Sequence, residues 1–485
     1  MTKKILNPVW LLLAIVLFNF SCKKETSQPA KGIAQEEEDG ITASRNGYGH
    51  LKPAHSYSSD LVVRWLNMQL AMLKVPLAPG TGSQDAARAQ AYCGIALYEA
   101  IVSGMPNHRS LKGQLTDFRV LPAIEKGRSY HWAICANAAL AEMNRRLFPT
   151  TAAINKTAIE ELESAIQAEF SAEADVETIQ RSQAFGKAIA VDVAAWAALD
   201  GSANQNPPYV PESKFIGPAF WVQSLDIGNT LVTTPPNFPQ AVNPYAVQRR
   251  LMVPGVKHGT ELAPPPPYST NPSSRFFAMV KDVYDKSRNL TPEQTAMALY
   301  YRDAPGYPGG GHFIAVLSQV FTQAKARLDE AALAYVKTGI ASYDAGLICF
   351  IQKYKVNLVR PINYIRNVMG YTEWNALFNT PGHPEFPSAH SVIGAVNASM
   401  LTDVFGKNFQ FTLNTYEYLN LPSRSYNSFY HMGKEMADSR VLAGIHYQAS
   451  CDKGRWLGER VGENILRKID FLKDKKHNRY PGYHR

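Results

Sequence analysis

Three short segments in the last third of the chain carry residue types suited to oxyanion chemistry. The first is Lys353-Tyr-Lys-Val-Asn-Leu-Val-Arg360-Pro361, the second Pro387-Ser388-Ala389-His390, and the third Ser439-Arg440-Val-Leu-Ala-Gly444-Ile-His446. Arg presents a planar fork of donors that grips an oxyanion bidentately, and Lys adds a compact point charge. Seven helical residues turn through about 700°, so on one helix Lys353 and Arg360 would project from nearly the same side. Pro361 stops such a helix from running on and pushes Arg360 toward extended backbone. Ser388 opens a helical stretch that continues through Val392 and Val396. Free N–H groups and a hydroxyl at a helix start form an anion site, and His390 beside it would be a useful proton donor. Arg440 and His446 are six residues apart, about 120° in azimuth on a straight helix, so they converge only if the helix bends or ends at Gly444. Ser439 is placed to position Arg440 by a hydroxyl hydrogen bond.

Each segment alone has an ordinary reading: a solvated basic helix end, a capping serine, a satisfied histidine near a glycine. Together they bring fixed positive charge, fork-shaped donors, a backbone donor and two imidazoles into about 95 residues. Other candidates are weaker. Gly309-Gly310-Gly311-His312 lacks the lysine and serine of a phosphate loop and reads as a turn before a helix. His383 either lines the entrance to the Ser388 loop or is merely exposed. Lys355 falls on another helix face from Lys353 and reads as solvated. There is no HExxH pair and no GxSxG elbow.

The elements that must position these residues read as helices. Apolar residues at three- and four-residue spacing predict helices over 61–75, 84–103, 128–147, 152–172 and 178–199. They resume over 274–289, 291–301, 312–325, 329–353, 392–405, 434–443 and 454–471. Strand alternation is scarce and no repeat of 20–50 residues appears. Between Gly201 and Thr270 stand about 13 of the 31 prolines, so that stretch cannot be helical throughout. Phe220, Trp221, Phe238 and Tyr245 make it an extended arm wrapped on the helical body rather than a linker. The expected fold class is all-α: one large helical domain over 46–485 with a long proline-rich irregular segment, its anion site within 353–462.

With 485 residues, 45% hydrophobic and 19% charged, the chain can bury a substantial core and is neither disordered nor a coiled coil. Fifty basic against 41 acidic residues give +9, spread too thinly for nucleic-acid binding and compatible with an anionic ligand. Lys3 and Lys4 precede an apolar stretch, Pro8 to Phe20, that ends at Ser21-Cys22. That pattern reads as an export signal over 1–21, too short for a comfortable membrane span. Cys22 after a small residue resembles a bacterial lipobox, with Asn19 where an aliphatic residue is usual, so Cys22 is the expected lipidation site; an ordinary cleaved signal is the alternative. Residues 22–45 read as a flexible tether. The chain is expected in the cell envelope as an exported lipoprotein, or else secreted, touching membrane only through that anchor. None of the other four cysteines forms a CxxC pair, and Cys93, Cys135 and Cys349 read as buried hydrophobes.

In the order Lys-x6-Arg-Pro, Pro-Ser-x-His, Ser-Arg-x5-His, the sequence resembles the vanadium-dependent haloperoxidases, in the bacterial branch of the phosphatidic acid phosphatase type 2/haloperoxidase superfamily. The resemblance is strong over 353–462 and looser over the helices at 87–102 and 184–201 and the proline-rich middle. It implies a vanadate cofactor, with His446 bonded to vanadium. It assigns Lys353, Arg360, Arg440, Ser388 and the Ala389 N–H to the vanadate oxygens, and His390 to acid–base work. Lys353 would also polarise bound peroxide, so that halide is oxidised to hypohalous acid. The implied partners are hydrogen peroxide and halide, with no nucleic acid; a homo-oligomer is compatible with this. The same resemblance carries a rival, a phosphohydrolase with His446 as nucleophile and His390 as general acid. A third reading is a non-catalytic oxyanion-binding protein of the envelope. Two positions depart from the family pattern: Ala389 replaces a glycine, and Ser450 stands where an aspartate usually orients the histidine, with Asp452 two residues on. The second departure weakens the expected support of His446 and disfavours the phosphatase reading.

Overall fold

A computed structural model of the chain describes residues 52–82, 85–204, 209–222 and 241–473. The expected export segment 1–21, Cys22, the tether 22–45 and Phe238 lie outside them. The chain begins its helices with local signals that the sequence supplies. Asp85 caps α2 (Ala86–Ile101) by accepting from the Arg88 N–H, and Thr291 with Gln294 forms a capping box on α7 (Pro292–Tyr300), where Pro292 takes the first position. The others are α1 (Asp60–Leu73), α3 (Trp132–Leu147), α4 (Ala153–Phe170), α5 (Val176–Ala197), α6 (Arg275–Arg288), α8 (Gly311–Ala324) and α9 (Leu328–Val356). After them come α10 (Pro361–Asn367), α11 (Ala389–Phe405), α12 (Phe429–Leu442) and α13 (Gln448–Lys468). Among the described residues the only sheet is a hairpin, β1 (Phe411–Leu413) antiparallel to β2 (Arg424–Tyr426), with Phe411 opposite Tyr426. The fold is all-α, and no described helix is long and apolar enough to cross a membrane.

Helix α9, 29 residues long and mostly buried, is the shared wall between an N-terminal group, where it packs on α2, and a C-terminal group, where it packs on α11. The α2–α9 crossing is close enough to need glycine on both sides. A Cβ on Gly94 would sit 2.8 Å from the Tyr335 carbonyl oxygen, and one on Gly339 2.8 Å from the Ala91 Cα. On the other side α13 presses Gly454 against the Ser388 backbone, where a Cβ would meet the carbonyl oxygen at 2.7 Å. That contact sets the height of the α11 N-terminus.

The described arm residues carry only short 3-10 turns, as its prolines require, and they pack rather than dangle. Trp221 is buried and its N–H donates to the Asn357 carbonyl, while the Val242 N–H donates to Gly382. The arm therefore braces both loops that carry the first two motifs. Helix α3 starts later than expected, at Trp132 rather than 128, and α12 and α13 start earlier. Helix α12 begins at Phe429, where the Ser428 side chain caps it by accepting from the His431 N–H and Phe429, Met432 and Met436 share its buried face. Helix α13 starts at Gln448 and so includes Ser450 and Cys451. Cys93, Cys135, Cys349 and Cys451 are all buried free thiols.

Candidate active site

Lys353 and Arg360 do not share a helix. Helix α9 stops at Val356, and Asn357 takes a left-handed conformation (φ 52°) that caps it. Arg360, extended as Pro361 demands, becomes the residue before α10, with Pro361 in the first helical position. A proline read as a stop is here also a start. The two cations still converge, because both grip the loop 381–388. Lys353 Nζ donates to the carbonyls of Pro384 (2.9 Å) and Glu385 (3.1 Å). Arg360 Nε donates to the His383 carbonyl (2.9 Å), Nη1 to Ile445 (2.8 Å) and Nη2 to Pro381 (3.3 Å). Both side chains are completely buried.

Helix α12 ends at Leu442, and Gly444 (φ 79°) turns the chain so that the Ile445 N–H returns to the Arg440 carbonyl (3.2 Å). A left-handed residue is required, and a Cβ would strike the Trp374 ring at 2.9 Å, so glycine serves both needs. The turn carries His446 back beside Arg360, whose Nη1 lies 3.2 Å from His446 Nε2. A guanidinium cannot accept, so Nε2 is the acceptor and the ring proton is on Nδ1. His446 Nδ1 donates to Glu385 Oε1 at 2.9 Å. The Tyr447 N–H donates to the same oxygen (2.9 Å), and the Ser450 hydroxyl to Oε2 (2.6 Å). The carboxylate missing from position 450 is thus supplied by Glu385, and Ser450 supports it. The expectation that His446 lacks a carboxylate partner is corrected.

Arg440, also buried, donates from Nη1 to the Tyr301 carbonyl (2.6 Å) and lies over the Phe378 ring, while its Nε is buried without a protein partner. Ser439 does not position it; that hydroxyl donates to the Met436 carbonyl one turn back (2.7 Å). Ser388 precedes α11, but its hydroxyl caps nothing and instead accepts from Ser391 (2.9 Å). Ala389 is the first helical residue, outside the positive-φ set, so alanine replaces glycine without backbone strain. His390 Nε2 faces Asp303 Oδ1 at 3.5 Å. These two are the exposed part of the site, at 18% and 40% of their side-chain surface, and they mark its mouth.

His383 is neither exposed nor idle: it is buried, and its Nδ1 accepts from Arg360 Nη2 at 2.9 Å. Lys355 is exposed, and Gly310 precedes α8, as expected. Sequence reasoning missed Glu385 and Asp303. Both lie in loops, where no periodicity marks an acid that meets a histidine; the one available hint was a carboxylate between Pro384 and Pro387.

The electrostatics show what such a site lacks. Burial, reinforced by Arg360, pulls the Lys353 ammonium down to about 7 despite nearby Glu385. Burial and then the charges of Arg360, Lys353 and Arg440 hold His446 well below the usual imidazole range. Burial lowers His390 as well, with Arg440 adding to it and Asp303 opposing. Burial also brings Arg440 to about 10. Each of these four groups is penalised for carrying charge, and a bound anion offsets that penalty. No group of three or more His, Cys, Asp or Glu suited to a metal cation occurs among the described residues. The donor set, three buried cations with a neutral imidazole nitrogen and an unpartnered Arg440 Nε, fits a tetrahedral oxyanion such as vanadate.

Residues 334–474 match the family model of the VCPO second helical-bundle domain, a span that holds Lys353, Arg360, Glu385, Ser388, His390, Arg440 and His446 but not Asp303. No curated protein sequence matches the chain. Among solved structures, the first bacterial vanadium-dependent iodoperoxidase is similar with a TM-score of 0.72 and 26% identity, over 87% of this chain and 98% of that one. An apo bacterial vanadium-dependent chloroperoxidase gives 0.60 and 15% over 82% and 97% of the two chains, and a holo form 0.57 and 16% over 82% and 94%. At that identity the chloroperoxidases speak for the fold. The fold of this chain is that of the vanadium haloperoxidases, and over residues 334–474 its sequence is similar to a helical-bundle domain of that family.

Proposed function

We propose that the chain is a vanadate-dependent haloperoxidase that oxidises halide with hydrogen peroxide, and that iodide is the halide to try first. The observation that carries this reading is His446: its Nδ1–H is held by a buried carboxylate and its Nε2 accepts from the buried Arg360, with the charges of Lys353 and Arg440 also bearing on the ring. The likeness to an iodoperoxidase supports the choice of halide. His446 Nε2 would bind vanadium. Arg360, Arg440, Lys353, the Ser388 hydroxyl and the Ala389 N–H would hold the oxygens. Bound vanadate supplies a Lewis acid that activates hydrogen peroxide without changing its own redox state.

The protein's part is then to place charge and protons. Lys353 spends two of its three ammonium protons on loop carbonyls, which leaves one for the anion. Arg440 has its Nε and further N–H groups to offer. Arg360 meets protein acceptors along the whole guanidinium, so its contact to His446 Nε2 is the bond that an arriving ligand replaces. With Nε2–H of His390 turned toward Asp303, Nδ1 is the atom left to take or give a proton at the mouth.

Glu385 favours a second reading to the same degree: a carboxylate-held imidazole is also what a phosphohydrolase nucleophile needs. Protein loaded with vanadate and dialysed, then assayed with peroxide and iodide or bromide, is set beside a phosphate-ester assay without vanadate. Halide oxidation only in the loaded protein supports the proposal. Bound vanadium with no turnover at any halide or pH defeats it, and ester hydrolysis alone selects the second reading. We place the protein in the cell envelope through lipid on Cys22; labelled palmitate absent from the wild type defeats that placement, and loss of label in Cys22→Ser supports it.

A further inference from the structure

Glu435 and Arg440 stand five residues apart on α12 and take hold of one residue, Tyr301, from its two ends. Arg440 Nη1 donates to the Tyr301 carbonyl at 2.6 Å, its one hydrogen bond to protein among the described residues. At the other end the Tyr301 hydroxyl lies 3.1 Å from Glu435 Oε1 and 2.7 Å from the Tyr426 hydroxyl. The Tyr426 hydroxyl is itself 2.9 Å from Glu435 Oε1. Whichever phenol donates to the other, Tyr301 stays tied to the carboxylate, directly or through Tyr426. Arg424 of β2 fixes that carboxylate with two bonds, Nε to Oε1 (2.6 Å) and Nη2 to Oε2 (2.8 Å). Tyr301, Tyr426 and Arg424 are buried, and Glu435 nearly so.

Tyr301 closes the C-terminal end of α7, where carbonyls have no partner within the helix, so its oxygen is available to Arg440. The two buried arginines are held very differently. Arg360 is bonded to three carbonyls and two imidazoles, whereas Arg440 has this carbonyl and the face of Phe378. A guanidinium with a single hydrogen bond pivots about it. The direction of its unpartnered Nε therefore depends on where Tyr301 is pinned.

We propose that Tyr301 is a positioning residue for Arg440: tethered through its hydroxyl to Glu435, it presents the carbonyl that aims the guanidinium into the anion site. This inference rests on Arg440 holding the oxyanion. Molybdate titration of the vanadate-free protein, with thermal melts and crystal structures, tests it without turnover. Tyr301→Phe keeps the ring and the carbonyl and loses only the tether. Molybdate affinity should fall about tenfold as Arg440 leaves its wild-type direction. Tyr300→Phe is the control, because that neighbouring hydroxyl is also buried but donates to the Leu413 carbonyl (3.1 Å), outside the Glu435 cluster. It should melt lower yet bind molybdate as the wild type does. In an Arg440→Met background Tyr301→Phe should cost no further affinity, because the group it positions is gone. Wild-type affinity in Tyr301→Phe overturns the proposal, as does an equal loss in Tyr300→Phe or an undiminished one beside Arg440→Met. Should Tyr301→Phe fail to fold, Glu435→Gln decides: it weakens the hold of Arg424 and slackens the same tether, so unchanged affinity there overturns the proposal and a fall supports it. A wild type that binds no molybdate fails the proposed function. The crystal of Tyr301→Phe then still judges Tyr301, with Arg440 displaced in favour of the proposal and unmoved against it.

Discussion

Glu385 and His446 are 61 positions apart in sequence and joined by a 2.9 Å hydrogen bond in a region with almost no solvent contact. The acid is itself held by the Tyr447 N–H and the Ser450 hydroxyl, so the imidazole is fixed in one tautomer and one orientation. Burial pushes the Glu385 carboxyl up to about 7, opposed by Ser450 and the neighbouring cations, so the pair shares its charge with the site above it.

Glu385→Gln should therefore weaken the ligand rather than the fold. The amide keeps the shape and an acceptor for Nδ1–H but drops the negative charge that makes Nε2 a better donor. Oxyanion or vanadium retention is expected to fall by about 10- to 100-fold. Elemental analysis after dialysis, with a thermal melt as control, reads this; full retention would remove Glu385 from the site.

Arg360 and Arg440 are both buried cations, but they divide their work differently. Arg360 makes bonds to three backbone carbonyls and two histidines, whereas Arg440 makes one to Tyr301 and keeps Nε unspent. Arg360→Lys leaves several buried acceptors unpaired and should cost about 2–4 kcal/mol of stability. Arg440→Lys should lose anion affinity with a much smaller change in melting temperature. Calorimetric titration with molybdate and thermal melts separate the two; equal destabilisation would contradict this division.

The three motifs were legible because they lie on helix ends, where Pro361, Ser388 and Gly444 carry local signals that survive without a structure. The helices were legible for the same reason, since apolar spacing reports the face that α9 or α2 buries. What escaped depends on the folded loops. Glu385 lies between two prolines and reads as a surface acid until Lys353 and Arg360 pull its loop inward. Asp303 reaches His390 across 87 residues with no pattern at either end. The seven-residue spacing of Lys353 and Arg360 suggested one helix; the left-handed Asn357 breaks it, and loop carbonyls do the converging instead.

Asp344 ties the arm to α9. Its two oxygens accept from the Met252 (2.7 Å) and Val253 (2.9 Å) N–H groups, all of them buried. Asp344→Ala strands two backbone donors and should destabilise the protein by about 2–4 kcal/mol. Burial pushes this carboxyl up to about 7, opposed only by those two bonds, so the folded state holds the proton more tightly than the unfolded one. Its contribution is then fullest below the ordinary carboxyl range and declines as pH rises toward 7. Denaturant melts of the wild type and Asp344→Asn between pH 4.5 and 7.5 should show a flatter profile in the amide.

Anion binding should weaken as pH rises above about 7. Lys353 in the free protein has been brought down to about 7 by burial and by Arg360, so above that pH its ammonium must be regained when an anion enters. The anion raises the Lys353 pKa again, and binding is therefore coupled to proton uptake between the free and bound values. His446 and His383, held well below the usual imidazole range by burial and adjacent cations, stay neutral throughout and contribute nothing to the slope. Molybdate keeps a constant charge here, so its affinity isolates the protein's protons. The association constant should fall by up to about tenfold per pH unit from 7 to 9. Lys353→Met should bind more weakly at pH 6 and with a shallower slope. A wild-type affinity flat across that range would mean that Lys353 keeps its proton in the empty site.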